Sequence, residues 1–134
     1  MEIHIPQTAI EYVDRALIMA NRRYEANRSK QELESISSLE VMYDSIVQQL
    51  TFVRRILTGE EKDKARLWEL TFGTYSAKEF DASDPVFFDR LGDAFFIASQ
   101  IRQGLKVRLP HEVDPNYETR ERELRAKYPQ EFKP

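Results

Sequence analysis

The chain of 134 residues contains no cysteine, two histidines, four glycines and one tryptophan. Without cysteine there is no disulfide scaffold, no thiolate zinc site and no Cys nucleophile. So few glycines do not suit a turn-rich β fold, and the composition leans helical. No apolar run reaches the ~18–20 residues that a membrane span needs. The Met1–Pro6 start also lacks a basic region followed by an apolar stretch. The expectation is a soluble protein that acts in the cytoplasm, without membrane association. Lys and Arg number 20 against 23 Asp and Glu, a net charge of −3. That balance argues against nucleic acid as a partner, because binding phosphates requires an excess of cations. The hydrophobic fraction of 41% and charged fraction of 32% are those of a globular chain. At this length a single domain buries roughly two-thirds of its unfolded surface and needs no staple.

The inventory of reactive groups is equally thin. His4 and His111 sit in the two terminal segments, and neither belongs to a His-x-x-x-His or His-Glu-x-x-His pattern. Phosphate-cradling glycine loops, Glu-x-x-His pairs and a Gly-x-Ser-x-Gly elbow are all missing from the sequence. Carboxylate-only chemistry would need Glu69 or Asp93 at a raised pKa in an apolar pocket, and no spacing selects such a pair. The expectation is no enzyme: no catalytic residue, no cofactor and no metal site.

Helical punctuation is plentiful. Thr8-Ala9-Ile10-Glu11 reads as a capping box opening a helix over about residues 9–25, with Ile10, Val13, Leu17, Ala20 and Tyr24 as its stripe. Ser29-Lys30-Gln31-Glu32 opens a second over about residues 30–58, with apolar residues from Leu33 to Leu57 and Gly59 as its stop. Ala65, Leu67, Trp68, Leu70, Thr71, Tyr75 and Ala77 predict a third over about residues 63–78. Gly73 inside that pattern costs about 1 kcal/mol relative to Ala. It therefore predicts a close approach by the backbone of a neighbouring helix. Asp84 as N-cap and Pro85 at the first helical position open a fourth helix over about residues 85–103, ended by Gly104. The predicted fold is all-α: an antiparallel bundle of about four helices over residues 1–110, with a charged C-terminal extension over 111–134. In the extension only Tyr117 to Lys127 can form a short helix.

Charge and aromatic residues concentrate in one region. Residues 69–93 hold Glu69, Glu79, Asp81, Asp84, Asp89 and Asp93 against Lys78 and Arg90, a local excess of four negative charges. Phe80, Phe87, Phe88, Phe95 and Phe96 fall nearby, and adjacent Phe pairs on a helix cannot both face one core. An acidic surface with exposed aromatics fits a protein partner of basic character. On this reading Glu79, Asp81 and Asp84 pair with basic groups of the partner, Phe80 is the apolar anchor and Lys78 a polar clamp. Tyr75 and Asp89 flank them.

Three blocks carry a resemblance to a known family. They are Ile10-Glu11-Tyr12-Val13-Asp14-Arg15-Ala16-Leu17; Leu70-Thr71-Phe72-Gly73 through Ala77-Lys78-Glu79-Phe80-Asp81 to Asp84-Pro85; and Gly104-Leu105-Lys106-Val107 to Leu109-Pro110. In these the chain resembles the small helical immunity proteins of bacterial type VI secretion that protect against NAD(P)⁺-hydrolysing effectors. The resemblance implies a non-catalytic cytoplasmic protein that binds the toxin domain of its cognate effector, one to one, and blocks the active site. Some relatives of that effector class instead carry a toxin domain that makes pyrophosphorylated adenosine nucleotides. The extension over 111–134 looks longer than the family core needs. A second reading, from the long apolar stripe of the second helix alone, is a scaffold or regulatory module that associates with a cytosolic partner through that helix.

Overall fold

The computed structural model describes residues 3–29 and 38–133, and every regular element among them is helical. Thr8 opens the first helix, α1 (Ala9–Ser29), its hydroxyl accepting the Glu11 N–H at 3.1 Å. The reciprocal half of the capping box does not form, because the Glu11 carboxylate lies 3.2 Å from His4 Nε2 instead. The second helix, α2, runs Ser38–Thr58. Its expected start at residue 30 and the Ser29–Glu32 box lie outside the described residues.

Ion pairs fix the helix directions. Asp14, early in α1, meets Arg54, late in α2, at 2.8 Å, while Arg28 at the end of α1 is 3.5 Å from Glu40 at the start of α2. The helix expected fourth in the chain, α4 (Pro85–Arg102), also runs against α1: Arg15 reaches Asp93 and Arg23 reaches Asp84. α1 is therefore the central helix, antiparallel to both neighbours. It buries two faces, which explains why Tyr12, Ala16 and Met19 join Val13 and Ala20 in the core while Ile10, Leu17 and Tyr24 are half-buried. The stripe of α2 is spent internally: Ile46, Leu50, Val53 and Ile56 are buried in the same core as Phe87, Leu91 and Ala94 of α4. Leu39, earlier in the same stripe, is exposed, and Leu33 and Ile36 lie outside the described residues.

The continuous third helix expected over 63–78 is not formed. A 3-10 helix spans Lys64–Glu69, Leu70 is extended, α3 is the single turn Phe72–Tyr75, and a π-helical turn follows over Ser76–Phe80. Gln49 of α2 explains the break at Thr71. Its Oε1 accepts the N–H groups of Thr71 at 2.7 Å and Phe72 at 3.0 Å, so a side chain from another helix satisfies donors that a continuous helix would bond itself. The close approach expected at Gly73 is real but comes from a side chain. A Cβ there would stand 2.8–3.0 Å from three ring carbons of Phe95 in α4. Gly104 ends α4 with φ +73, its N–H bonding Ile101 C=O and the Leu105 N–H bonding Gln100 C=O, each at 3.0 Å, the paired bonds of a Schellman motif.

The extension folds back on the bundle. α5 (Pro110–Val113), α6 (Tyr117–Lys127) and a 3-10 turn (Pro129–Phe132) lie against α1 and α4. Tyr117 and Glu121 of α6 are buried. Glu121 accepts two hydrogen bonds from the Arg90 guanidinium, at 2.5 and 3.2 Å. Arg120 bonds Asp89 and Asp114, Arg15 Nη2 donates to the Tyr117 hydroxyl, Tyr12 and His111 lie 2.8 Å apart, and Glu131 reaches Arg23.

Candidate functional site

The π-helical turn over Ser76–Phe80 organises the acidic region. A π turn inserts one residue more than an α turn and so rotates the following side chains relative to the helix. Here it swings Phe80 inward. That ring stacks on Tyr43 of α2, centroids 5.7 Å apart at 12°, and packs 4.9 Å from Phe87. Phe80 is only 2% exposed, so it is not the projecting apolar anchor the sequence predicted but the core rivet of the turn. Pinned through Phe80, the turn leaves Lys78, Glu79 and the next residue, Asp81, exposed to solvent. The Ser83 hydroxyl donates to the Glu79 carbonyl at 2.5 Å, tying the outgoing chain to the turn. The Tyr75 side chain lies outside the described set.

Asp84 and Asp89 belong elsewhere. The Asp84 side chain makes no cap for α4. Both its oxygens are taken by Arg23, at 2.7 and 3.1 Å, and the same guanidinium holds Glu131 at 2.8 Å. Asp89 is shared between Arg90 at 2.8 Å and Arg120 at 2.7 Å. Asp93, in the same cluster, lies 3.3 Å from Arg15 and 3.8 Å from Arg120. Burial above all, and then the neighbouring Asp89 charge, push the Asp93 carboxyl up to about 7 against the pull of the three arginines. A raised carboxylate becomes a catalytic candidate when it faces a cleft. Asp93 is instead enclosed among Arg15, Arg120 and the extension, with 9% of its side chain exposed. Burial likewise raises the Tyr12 hydroxyl far above its ordinary value and moves Tyr43 in the same direction.

Of the six carboxylates in residues 69–93, then, three are neutralised by arginines, and Glu69, Glu79 and Asp81 face water. The ledge is Lys78, Glu79 and Asp81. Beside α2 an open groove of about 450 Å³ lies against the Lys64–Glu69 turn, where Asp44 and Glu69 supply carboxylates and Val41 and Phe52 apolar surface. Among the described residues no cluster of three His, Cys, Asp or Glu side chains is disposed to hold a metal ion, and no helix is long and apolar enough to cross a membrane. Trp68, which the sequence pattern placed in the stripe of the third helix, is 59% exposed. Its lone 3-10 setting, where only Leu67 is buried, separates it from the core.

Comparison with known proteins follows the same outline. The Tsi6 family profile matches residues 8–100. Immune protein Tsi6 of Pseudomonas aeruginosa is 36% identical over 103 residues, which cover 77% of this chain and 99% of that protein. The structure of Tse6 in complex with Tsi6 superimposes with a TM-score of 0.64 at 34% identity, covering 78% of this chain and all of the matched one. Tsi6 from Pseudomonas aeruginosa on its own gives 0.60 at 34% identity, covering 78% and 98%. With most of its length matched by the family profile and a relative spanned almost end to end, the chain belongs to the Tsi6 family.

Proposed function

We propose that this chain is an immunity protein that binds the toxin domain of a cognate effector in a one-to-one complex in the cytoplasm and occludes its active site. It does so without catalysis of its own. Family membership carries this reading, since the related Tsi6 is an immune protein whose structure with Tse6 is known. The toxin chemistry we assign is hydrolysis of NAD(P)⁺. A cleft that binds an anionic nucleotide is basic at its mouth, and an acidic, rigidly mounted ledge is complementary to it. Glu79 and Asp81 meet the basic groups of that mouth, and Lys78 contacts an acceptor at its edge. Asp84 and Asp89 act at one remove: Asp84 ties the start of α4, just beyond the ledge, to α1, and Asp89 holds the extension.

The test is protection of cells that co-express the toxin domain. The double reversal Glu79→Lys with Asp81→Lys weakens binding by about 2–5 kcal/mol if both groups are desolvated in the interface, and protection falls with it. A doubly reversed protein that protects as well as the parent overturns the ledge. A parent protein that relieves no NAD⁺-depleting toxin overturns the assigned chemistry.

A further inference from the structure

One feature of the surface is absorbed neither by the ledge nor by the extension. Arg102, in the last turn of α4, has its guanidinium carbon 4.5 Å from the Trp68 ring centroid and 5.1 Å from that of Phe95. Its Nε is buried without a hydrogen-bond partner. Arg15, Arg23, Arg54, Arg90 and Arg120 each meet a carboxylate, whereas no acid reaches Arg102 among the described residues.

The stack is held from beneath. Gly73 admits the Phe95 ring against the α3 backbone, and Phe72 meets that ring edge-on at 5.3 Å. Arg102 is thus oriented by aromatic faces while its donors stay unspent. A guanidinium so fixed loses little further freedom when it takes a planar carboxylate. An open groove of about 280 Å³ lies at the same end of α4, lined by Ile56, Leu57, Ile101, Gly104, Leu105 and Val107, with Lys64, from the same 3-10 turn as Trp68, on its wall and no acidic residue in the lining. Leu105 is 56% exposed there. Tryptophan and arginine beside an apolar pocket are the composition of an interface hot spot.

We propose that Trp68, Arg102 and this groove form a second docking site for the effector, one that takes a segment carrying an Asp or Glu carboxylate beside an aliphatic side chain. The carboxylate seats on Arg102 with Lys64 near it, and the aliphatic group fills the groove. The charge sense is opposite to that of the ledge, so the two sites together orient the partner. This inference rests on the immunity reading above.

Trp68 is the sole tryptophan, which makes the site directly observable. The full chain labelled with 5-fluorotryptophan gives one fluorine resonance. It is titrated with the unlabelled toxin domain of the cognate effector, while size-exclusion chromatography reports complex formation separately. The expected result is a resonance that moves on complex formation. Arg102→Glu should bind at least about tenfold more weakly, and Arg102→Lys should fall between, because lysine keeps the charge but not the planar fork. A complex that forms with the resonance unmoved and with Arg102→Glu at parental affinity overturns the second site and leaves the immunity reading standing. A resonance that shifts with concentration of the labelled chain alone also overturns it, in favour of self-association. No complex with the parent protein overturns the immunity reading itself.

Discussion

Two ion pairs made by α6 should differ about six- to tenfold in worth. Glu121 of α6 is 0% exposed and bonded to Arg90, itself 4% exposed, while Glu118 and Arg122, one turn apart, are each 57% exposed. Glu121→Ala strands a buried guanidinium whose remaining carboxylate partner among the described residues is Asp89, at 2.8 Å. Removing one partner of a buried pair costs about 3–5 kcal/mol, and the surviving Asp89 contact sets the lower end, about 3 kcal/mol. Unfolding entropy of about 2.1 cal/mol/K per residue gives roughly 0.28 kcal/mol/K for a chain of this length, so the melting point falls by about 11 °C. Glu118→Ala forfeits an exposed i,i+4 pair worth about 0.3–0.5 kcal/mol, a shift of at most about 2 °C. Thermal unfolding of the two full-length variants, followed by circular dichroism at neutral pH, makes the comparison. If Glu121→Ala melts as close to the parent as Glu118→Ala does, α6 is not docked through Arg90 and the reasoning fails. The paired replacement Arg90→Met with Glu121→Leu should recover part of the loss, since desolvation is removed together with the attraction, while Arg15 and Arg125, 3.9 and 3.7 Å from Glu121, still lose a partner.

Three further outcomes follow from single sites. Asp93 is held at about 7, above its unfolded value, so the folded state binds the extra proton. Its contribution to stability is full below about pH 4 and is lost as pH rises toward 7. Asp93→Asn should remove that slope from urea-unfolding free energies measured across this range. Gly73→Ala places a methyl 2.8 Å from the Phe95 ring and should cost about 1–3 kcal/mol, whereas Gly92→Ala, with nothing within 4 Å in the middle of α4, should stabilise by about 0.5–1 kcal/mol. Denaturant titration of both proteins decides it, and equal signs would refute the packing assigned to Phe95. Phe80→Ala should lower stability by about 3–5 kcal/mol as a core deletion. An unchanged melting point with weakened toxin binding would restore Phe80 as a surface anchor.

Local signals were legible where the physics is local. Pro85 opens α4 where its missing N–H costs nothing, Gly59 and Gly104 take the positive φ that helix ends require, and α6 runs over Tyr117–Lys127, the one stretch of the extension whose pattern supports a helix. What could not be read depends on partners far along the chain. Gln49 interrupts the third helix from 22 residues away. The charge count over residues 69–93 overstated the exposed acid, because Arg23 lies 61 residues from Asp84 and Arg15 78 residues from Asp93. Phe80 fell outside every α-periodic stripe, as it must: the π turn that buries it has a different period.

The extension narrows where a partner can bind. Its anchors, Arg15, Arg23, Asp89 and Arg90, all lie within residues 8–100, the part shared with the family, while α6 lies beyond it. A partner seated on that face of α1 and α4 would have to displace α6, exposing Tyr117 and separating Glu121 from Arg90 at a cost of several kcal/mol before any contact is made. The surfaces that carry no such cost are the exposed side of α2, the Lys64–Glu69 turn with Trp68 and Arg102, and the π turn with Glu79 and Asp81. The acidic ledge and the arginine groove both belong to this remainder. The buried ion-pair cluster that looks most like a reactive site in composition is therefore the part of the molecule committed to holding the extension in place.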